Sequence, residues 1–316
     1  MNQELGKLIN DLTLLGGVDF HTHSTASDGS LLPDEVFQLA KINGLSCFAL
    51  TDHDNNEGVL ELLKRHSTID SYMQDQNLSF RELFERIKTG HLKTSPLIIP
   101  GIELNVQFST ENIHILAYFS GNQITKVEPF LNQQRQNRFE RNKNMIRKFY
   151  ELKIPIPIDL LKPTADEPTP GRVKVAKWLV HKGYVSTISE AFEIYLGNNK
   201  LAYVARNNVS IGSALKFIKK MNGFPFVAHP HQYGWCENKN ILRKKVNDLL
   251  KIDTVGIEVF HSDASIEEQK LIEEIASEKQ IYISAGSDFH GANKEKHHLY
   301  KSTFSPDNHY GKESIS

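Results

Sequence analysis

Short apolar stretches alternate along this chain with segments whose apolar residues recur at helical spacing. Seven of the stretches are typical of buried strands: VDFHT at 18–22, SCFALT at 46–51, LIIPGIEL at 97–104, IHILAYF at 113–119, FPFVAH at 224–229, TVGIEVF at 254–260 and IYISAGSD at 281–288. Helical patterns precede three of them: LLPDEVFQLAKING, SIGSALKFIKKMNG and SIEEQKLIEEIASEKQ. Strands and helices in alternation favour an α/β fold with a parallel sheet, most economically closed into a barrel. Only NVQFSTEN joins the third and fourth strands, so we expect that pair to be an antiparallel hairpin.

Two segments interrupt the alternation. Residues 64–96 are polar and weakly helical, and no chemistry can be assigned to them. Residues 122–205 contain helical patterns and no obvious strand. We therefore expect a barrel formed by 1–121 and 206–316, with a helical subdomain inserted at 122–205. The tail after Gly291, rich in Lys, His and Ser, is expected to be loosely held.

Composition narrows the class of protein. The chain has 316 residues, of which 39% are hydrophobic and 24% charged, enough for a sizeable core. It has no apolar run long enough for a transmembrane helix, and its N-terminus does not resemble a signal peptide. Two cysteines, Cys47 and Cys236, fit a reducing compartment, so we expect a cytoplasmic protein without a membrane partner. The net charge of −1 argues against a surface that coats nucleic acid broadly.

Histidines and carboxylates gather where the predicted strands end. In DFHTHSTASDG at 19–29, His21 and His23 point the same way if the segment is extended. TDHD, AHPH and SDFH follow other strands in the same manner. Because the carboxyl ends of barrel strands meet at one face, we expect nine side chains to converge there: His21, His23, Asp28, His53, Glu103, His114, His229, Asp288 and His290. Nitrogen and oxygen ligands without a thiolate suit Mn, Zn or Fe.

These motifs carry a resemblance to a known family. HTHSTASDG, TDHD, PGIEL, AHP and GSDFHG together resemble the PHP family, named for polymerase and histidinol phosphatase domains. GRVKVAKWLVHKGYVSTISEAFEIYLG at 171–197 and QQRQNRFERNKNMIRKF at 133–149 resemble the insertion of one branch of that family. Members of this branch hydrolyse nucleoside 3′,5′-bisphosphates and degrade short RNA as 5′-to-3′ exoribonucleases. The resemblance spans nearly the whole chain and breaks mainly at 64–96.

The resemblance implies a distorted seven-stranded β/α barrel with a centre of three divalent metals, foremost Mn, with Zn or Fe as alternatives. The ligand sets carried over from the family are as follows: His21, His23, Glu103 and Asp288 for the first metal; Asp28, His53 and His290 for the second; Glu103, His114 and His229 for the third. A metal-bound hydroxide would attack phosphorus, because coordination lowers the pKa of water.

Several neighbouring residues remain open. Asp19 and Asp52 could orient ligands or make ordinary structural hydrogen bonds, and Glu258 and His261 are equally open. His231 is a candidate general acid or substrate contact.

Basic residues of the insertion are candidates for a second phosphate-binding site. Arg138, Arg141, Asn142 and Arg172 are expected to contact the second phosphate of a bisphosphate, whereas a solvated helix face is favoured for Arg135. Lys174 stands where many relatives have histidine, a departure that bears on substrate choice.

The leading hypothesis is a metal-dependent phosphoesterase that acts on nucleoside 3′,5′-bisphosphates such as pAp and trims short RNA from its 5′ end. One alternative is a phosphatase for another small phosphomonoester such as histidinol phosphate. Another is a non-catalytic PHP module that binds metal or nucleic acid. The filled ligand set favours catalysis, and no protein partner is predicted.

Overall fold

The chain forms two compact units. The structure, a computed structural model, describes residues 2–90, 95–162, 164, 170–204, 208–294 and 297–300. One unit contains Met1–Glu128 and Ser210–Ser316, and the other contains Pro129–Val209. Among the helices of these described ranges, none combines the length and the apolar character that crossing a bilayer requires.

The first unit is built around strands. The strands are β1 Val18–Thr22, β2 Cys47–Leu50, β3 Leu97–Ile98, β4 Gly101–Phe108, β5 Glu111–Phe119, β6 Val209–Ser210, β7 Gly223–Val227, β8 Gly256–His261 and β9 Ile283–Gly286. They form a three-stranded sheet, β1-β2-β3, and a six-stranded sheet, β6-β4-β5-β7-β8-β9. The first sheet is parallel, as are β7, β8 and β9, whereas β5 runs antiparallel to both β4 and β7. The sheets are therefore mixed rather than wholly parallel.

Helices cover these strands and build the second unit. The α-helices are α1 Gln3–Leu15, α2 Pro33–Ile42, α3 Glu57–Leu63, α4 Ile69–Gln76, α5 Phe80–Lys88, α6 Glu128–Glu151, α7 Arg172–His181, α8 Ile188–Ala191, α9 Ile211–Lys220, α10 Lys239–Leu250 and α11 Ile266–Lys279. A π turn, Phe192–Leu196, continues α8. Short 3₁₀ turns lie at Gly121–Lys126, Ile158–Leu161, Pro230–Tyr233, Trp235–Glu237 and Gly291–Asn293.

The α/β alternation predicted from the sequence is confirmed, with one correction. The three helical patterns form α2, α9 and α11, and the hairpin between β4 and β5 is antiparallel as expected. The run LIIPGIEL, however, is two strands rather than one. Pro100 lies between β3 and β4 and has no N–H to donate, so the strand pairing breaks there.

The polar segment after residue 64 packs on the core of the first unit. Its described part forms α4 and α5, and residues 91–94 lie outside the described residues. Met73, Leu83 and Ile87 join a buried cluster with Phe20 of β1 and Leu12 of α1. The segment therefore contributes apolar burial through a few inward-facing residues, although most of its positions are polar.

The second unit has an apolar core of its own. Met145, Ile146 and Phe149 of α6 pack against Val175 and Leu179 of α7. These residues recur three or four apart on each helix, so each helix presents one apolar stripe to the other.

Gly286 at the end of β9 permits the close approach of β9 to β1. A methyl group at this position would lie 2.2 Å from Cβ of His21 and 2.5 Å from Oε1 of Glu258. We expect Gly286→Ala to lower the free energy of unfolding by about 1–3 kcal/mol, since the strands must separate to admit it. Denaturant unfolding measures this. Gly212→Ala is the control, because its methyl group would meet only ordinary contact at 3.7 Å within α9; equal stability of the two variants would contradict the close approach.

Candidate metal centre

One buried carboxylate, that of Glu103 on β4, lies at the centre of the site. Glu103 is fully buried. Five imidazoles surround it, and the nitrogen–oxygen distances are 3.2 Å from His21, 3.2 Å from His23, 2.9 Å from His53, 2.8 Å from His114 and 3.1 Å from His229. His21 and His23 lie on and just after β1, His114 lies in β5, and the other two histidines follow β2 and β7, so the folding of the sheets brings them together. All six side chains belong to the nine that were predicted to converge, and the five histidines share one carboxylate.

Four of the predicted ligands form a compact group with the spacing of a metal site. His21 Nε2 lies 3.2 Å from Glu103 Oε2 and 3.4 Å from Asp288 Oδ1. His23 Nε2 lies 3.2 Å from each of the same two oxygens. Four ligands placed tetrahedrally at metal–ligand distances of about 2.0–2.1 Å lie about 3.3–3.4 Å from one another. The four measured separations are close to this value.

The same atoms have no other partner that would explain their burial. His21 Nε2, His23 Nε2 and Glu103 Oε2 are buried and make no hydrogen bond of good geometry within the described ranges. Leaving several buried polar atoms unsatisfied costs about 1–3 kcal/mol for each. A divalent cation would accept the imidazole lone pairs and offset the carboxylate charge, so the donor set fits such an ion.

A second group lies beside the first. His290 Nε2 is 3.1 Å from Asp28 Oδ1, and His53 Nε2 is 3.8 Å from Asp28 Oδ2. His23 borders this group as well, with its ring centroid 4.1 Å from that of His290 and 4.6 Å from that of His53. The Asp28 side chain is 55% exposed, so this group faces solvent on the Asp28 side.

A third group shares Glu103 with the first. Glu103 Oε1 lies between His114 Nδ1 and His229 Nε2, while Oε2 faces His21, His23 and His53. The two oxygens of one carboxylate therefore point toward different histidines. The structure thus brings together all nine side chains that the sequence placed at one face.

Burial and the neighbouring charges have opposite effects on the pKa of side chains in these groups. Burial works to raise the pKa of Glu103, but the imidazoles of His53, His21 and His114 outweigh it and hold the pKa well below its ordinary value. Burial lowers the pKa of His229 and of His290 to about 4. These two rings are therefore neutral near pH 7 and able to bind a cation without losing a proton.

Glu258 of β8 holds two of the histidines. Its Oε1 is 3.0 Å from His21 Nδ1, and its Oε2 accepts a hydrogen bond of 2.7 Å from the backbone N–H of His229. His229 has φ 29° and Asp288 has φ 54°, both in the left-handed region that side chains other than glycine rarely adopt. The carboxylate therefore orients His21 through its other ring nitrogen and stabilises the strained backbone of His229.

Asp52 and Asp19 support the loops that carry the ligands. Asp52 accepts hydrogen bonds from the N–H of Ser24, the hydroxyl of Ser24 and the hydroxyl of Ser27, in the loop that leads to Asp28. Asp19 accepts from the N–H and the hydroxyl of Ser287, just before Asp288, and burial raises its pKa to about 6. Both residues therefore hold the loops from which the ligand side chains project.

His231 belongs to a second cluster centred on Asp263. His231 Nε2 lies 2.7 Å from Asp263 Oδ1, and His261 Nδ1 and His297 Nε2 lie 2.5 Å and 3.3 Å from the same carboxylate. Burial raises the pKa of Asp263, but the three imidazoles outweigh it and hold the pKa far below its ordinary value. Asp263 and His297 were not among the predicted site residues. The HSD sequence at 261–263 follows a predicted strand directly, and this position could have indicated Asp263 as a site residue.

The expectation of a loosely held tail after Gly291 is wrong for the residues described there. Lys294 Nζ is 2.6 Å from Asp288 Oδ2, and His297 and Tyr300 are almost fully buried. Tyr300 donates its N–H to Asp19. These contacts arise because buried carboxylates attract a cation and backbone donors, which local composition does not reveal. Residues 295–296 and 301–316 lie outside the described residues.

The predicted substrate contacts are in the second unit. Arg141 and Asn142 are almost fully buried on α6, and Arg141 donates from Nε to the Val204 carbonyl and from Nη1 to Asn142 Oδ1. Arg172 donates to the Leu196 carbonyl and lies 5.6 Å over the Phe192 ring. Burial lowers the pKa of Arg172, and the positive charge of Arg138 acts in the same direction.

Comparison with known proteins assigns the family. A model of the family described as PHP domain matches residues 19–250, so the chain belongs to the PHP domain family. A 5′-3′ exoribonuclease of Haemophilus influenzae is 28% identical over 272 residues, covering 86% of this chain and 89% of that protein. A 3′,5′-nucleoside bisphosphate phosphatase of Chromobacterium violaceum is 26% identical over 281 residues, covering 87% and 88%.

A solved structure shares the fold. An amidohydrolase from Chromobacterium violaceum, with bound sulfate and no metal, superposes with a TM-score of 0.66 at 23% identity, covering 90% of this chain and 91% of that one. The α/β fold of the family is thus established for this chain on both sequence and structure.

The protonation of His21 and His23 in the first group determines how metal binding depends on pH. Burial lowers the pKa of His23, but the carboxylates of Asp288 and Glu103 outweigh it and raise that pKa to about 9; the pKa of His21 is raised well above its ordinary value. A metal needs neutral imidazoles, so we expect binding at pH 7 to release about two protons per protein. Calorimetric titration of Mn²⁺ into metal-free protein, in buffers of different protonation enthalpy, counts them.

The same shifts set the stability of the metal-free protein. Because the folded pKa of His23 exceeds its unfolded value, the stabilisation is complete below about pH 6.5 and is lost as the pH rises toward 9. The proton that His23 releases on binding Mn²⁺ should likewise be lost from the count as the pH rises through 9. Binding without proton release at pH 7 would contradict the arrangement of these two histidines.

Proposed function

We propose that this protein is a metal-dependent phosphoesterase that removes phosphate from nucleoside 3′,5′-bisphosphates such as pAp and shortens RNA from its 5′ end. The observation that carries the proposal is the group of His21, His23, Glu103 and Asp288, whose facing atoms have the spacing of a metal site. Of these atoms, His21 Nε2, His23 Nε2 and Glu103 Oε2 make no competing hydrogen bond within the described residues. The names of the relatives supply the substrate class, because two of them are an exoribonuclease and a bisphosphate phosphatase.

We assign three divalent cations to the centre, with Mn²⁺ as the foremost choice for nitrogen and oxygen ligands and Zn or Fe as alternatives. The first would be held by His21, His23, Glu103 and Asp288; the second by Asp28, His53 and His290; and the third by Glu103, His114 and His229. When bound, such ions activate water and neutralise charge on the phosphoryl oxygens.

The chain's own residues then do three things. Glu103 holds two groups of imidazoles at a fixed separation, and Glu258 keeps the ring of His21 in one orientation. Asp28, being half exposed, forms the side of the centre that substrate can reach. Lys294 supplies a cation next to Asp288, where it would attract an incoming phosphate.

A second phosphate requires a second anion site, which we assign to Arg138, Arg141, Asn142 and Arg172 in the helical unit. The positive charge of Arg138 contributes to lowering the pKa of Arg172, so an anion bound near these two guanidinium groups would be stabilised. Arg141 and Asn142 are already fixed by hydrogen bonds to Val204 and Pro170, so they would lose little side-chain entropy on binding.

The architecture supports metal binding by the first unit and substrate binding by the second. We propose that the seven longer strands of the first unit close as a distorted barrel, which the isolated bridges Thr22–Phe289 and His53–Glu103 favour. The helical segment 122–205 would be the substrate-binding subdomain. Free Cys47 and Cys236 suit the reducing cytoplasm as the place of action.

Phosphate release tests the proposal. Protein loaded with Mn²⁺ should release phosphate from pAp far faster than from AMP, and His53→Ala should slow release at least about 100-fold by removing a ligand. His66→Gln is the matched control, because His66 pairs with Asp34 and stacks on Phe37 outside the centre. Arg172→Ala should lower kcat/KM for pAp about 10- to 100-fold while leaving AMP unchanged, since AMP lacks the second phosphate.

The outcomes separate the alternatives. Arg135→Ala, on the same helix as Arg138 but outside the assigned clamp, should behave as wild type. Hydrolysis of histidinol phosphate without hydrolysis of pAp would overturn the assignment of the helical unit. Absence of hydrolysis with every divalent metal tried would leave a binding module and overturn the proposal of an enzyme.

A further inference from the structure

Positive charge is concentrated in the second unit. Residues 129–209 contain 14 Lys and Arg against 7 Asp and Glu, a net charge of +7. The remainder of the chain contains 23 against 31, a net charge of −8. The near-zero total therefore hides a basic unit of a size and charge that suit a polyanion.

One face of α7 presents part of this charge to solvent. Val175, Ala176 and Leu179 are buried in the core of the unit. The opposite side has the exposed residues Lys177 and His181, and the exposed Lys182 follows at the end of the helix. At helical spacing, the two lysines flank Trp178, which is half-buried at the edge of the core.

A rigid turn places a second aromatic ring beside Trp178. Gly183 has φ 75°, a conformation that glycine adopts without strain, and it ends α7. Its N–H donates to the Val180 carbonyl, and the N–H of Tyr184 donates to the Leu179 carbonyl, the paired bonds of a Schellman cap. Tyr184 consequently stacks on Trp178 with an interplanar angle of 16° and a centroid distance of 5.9 Å, and it remains 40% exposed.

We propose that this face, defined by Lys177, Trp178, His181, Lys182 and Tyr184, binds the unpaired nucleotides of an RNA substrate; the inference rests on the proposed function. Fixed aromatic rings among cations are the arrangement that binds single strands, because bases stack on the rings while phosphates pair with lysine. The ring of Tyr184 is already held by the cap and by Trp178, so binding a base costs little further ordering. A bisphosphate nucleotide has no downstream bases and needs none of these contacts.

The test measures binding rather than turnover. The full chain in the His53→Ala background, with Mn²⁺, is titrated into a single-stranded RNA of about 12 nucleotides with a 5′-phosphate and a 3′-fluorophore, and anisotropy is followed. Tyr184→Ala should weaken binding about tenfold, and Tyr184→Phe should restore it, since the ring and not the hydroxyl stacks. Both changes are at an exposed position, and circular dichroism checks that the unit is folded.

Charge reversal tests the lysines separately. Lys177→Glu with Lys182→Glu should weaken binding and reduce the slope of log affinity against log salt by about 1–2, because each single-strand phosphate contact contributes about 0.7. Lys216→Glu, at another exposed position, on α9 of the other unit, is the control and should bind as the parent. In a protein that retains His53, Tyr184→Ala should leave hydrolysis of pAp unchanged.

Two results would overturn the inference: RNA binding that is insensitive to Tyr184→Ala and to the double reversal, or equally tight and equally sensitive binding of duplex RNA, whose bases cannot stack on the ring. Failure here is distinguishable from failure of the proposed function. If pAp is hydrolysed at the wild-type rate but RNA binding does not respond to these substitutions, only the inference is overturned. If RNA binding depends on the Tyr184 ring but no substrate is hydrolysed, only the proposal of a phosphoesterase is overturned.

Discussion

The carboxylate of Glu103 is the constraint on which the site depends. A fully buried carboxylate is costly unless it is paired, and here five imidazoles from four places in the chain surround it. Protonated histidines can satisfy it in the metal-free protein, and cations can do so when metals are bound. Either way, the strands β1, β4 and β5 and the loops after β2 and β7 must meet at this point. Fold and chemistry are thus specified by the same group of residues.

Much of this could be predicted from sequence, because its signals are local. His21 and His23 alternate along one strand, and TDHD, AHPH and SDFH follow apolar runs, so strand topology alone predicts their convergence. What could not be predicted depends on contacts between distant segments. Nothing near Glu258 in the sequence indicates that it would hold both His21 and His229, and nothing near Lys294 indicates Asp288 as its partner. The break at Pro100 is a further case, since the apolar run continues across it while the pairing does not.

The net charge of the whole chain conceals a difference between its two units. A net charge of −1 argued against extensive contact with nucleic acid, yet the helical unit alone has a net charge of +7. The acidic remainder includes the carboxylates that divalent cations would neutralise, whereas the basic unit has the buried Arg141 and an exposed aromatic face. We thus propose metal binding for the acidic part of the chain and binding of the second phosphate for the basic unit, each with the charge that its ligand requires.

The most direct measurement of the central claim is the metal content of Glu103→Ala beside that of the wild type, after both are loaded with Mn²⁺ and desalted. Because Glu103 faces both the His21–His23–Asp288 group and the His114–His229 pair, the account predicts that the variant loses metal from both groups and retains at most the ion held by Asp28, His53 and His290. Wild-type metal content in a folded Glu103→Ala variant would contradict the account.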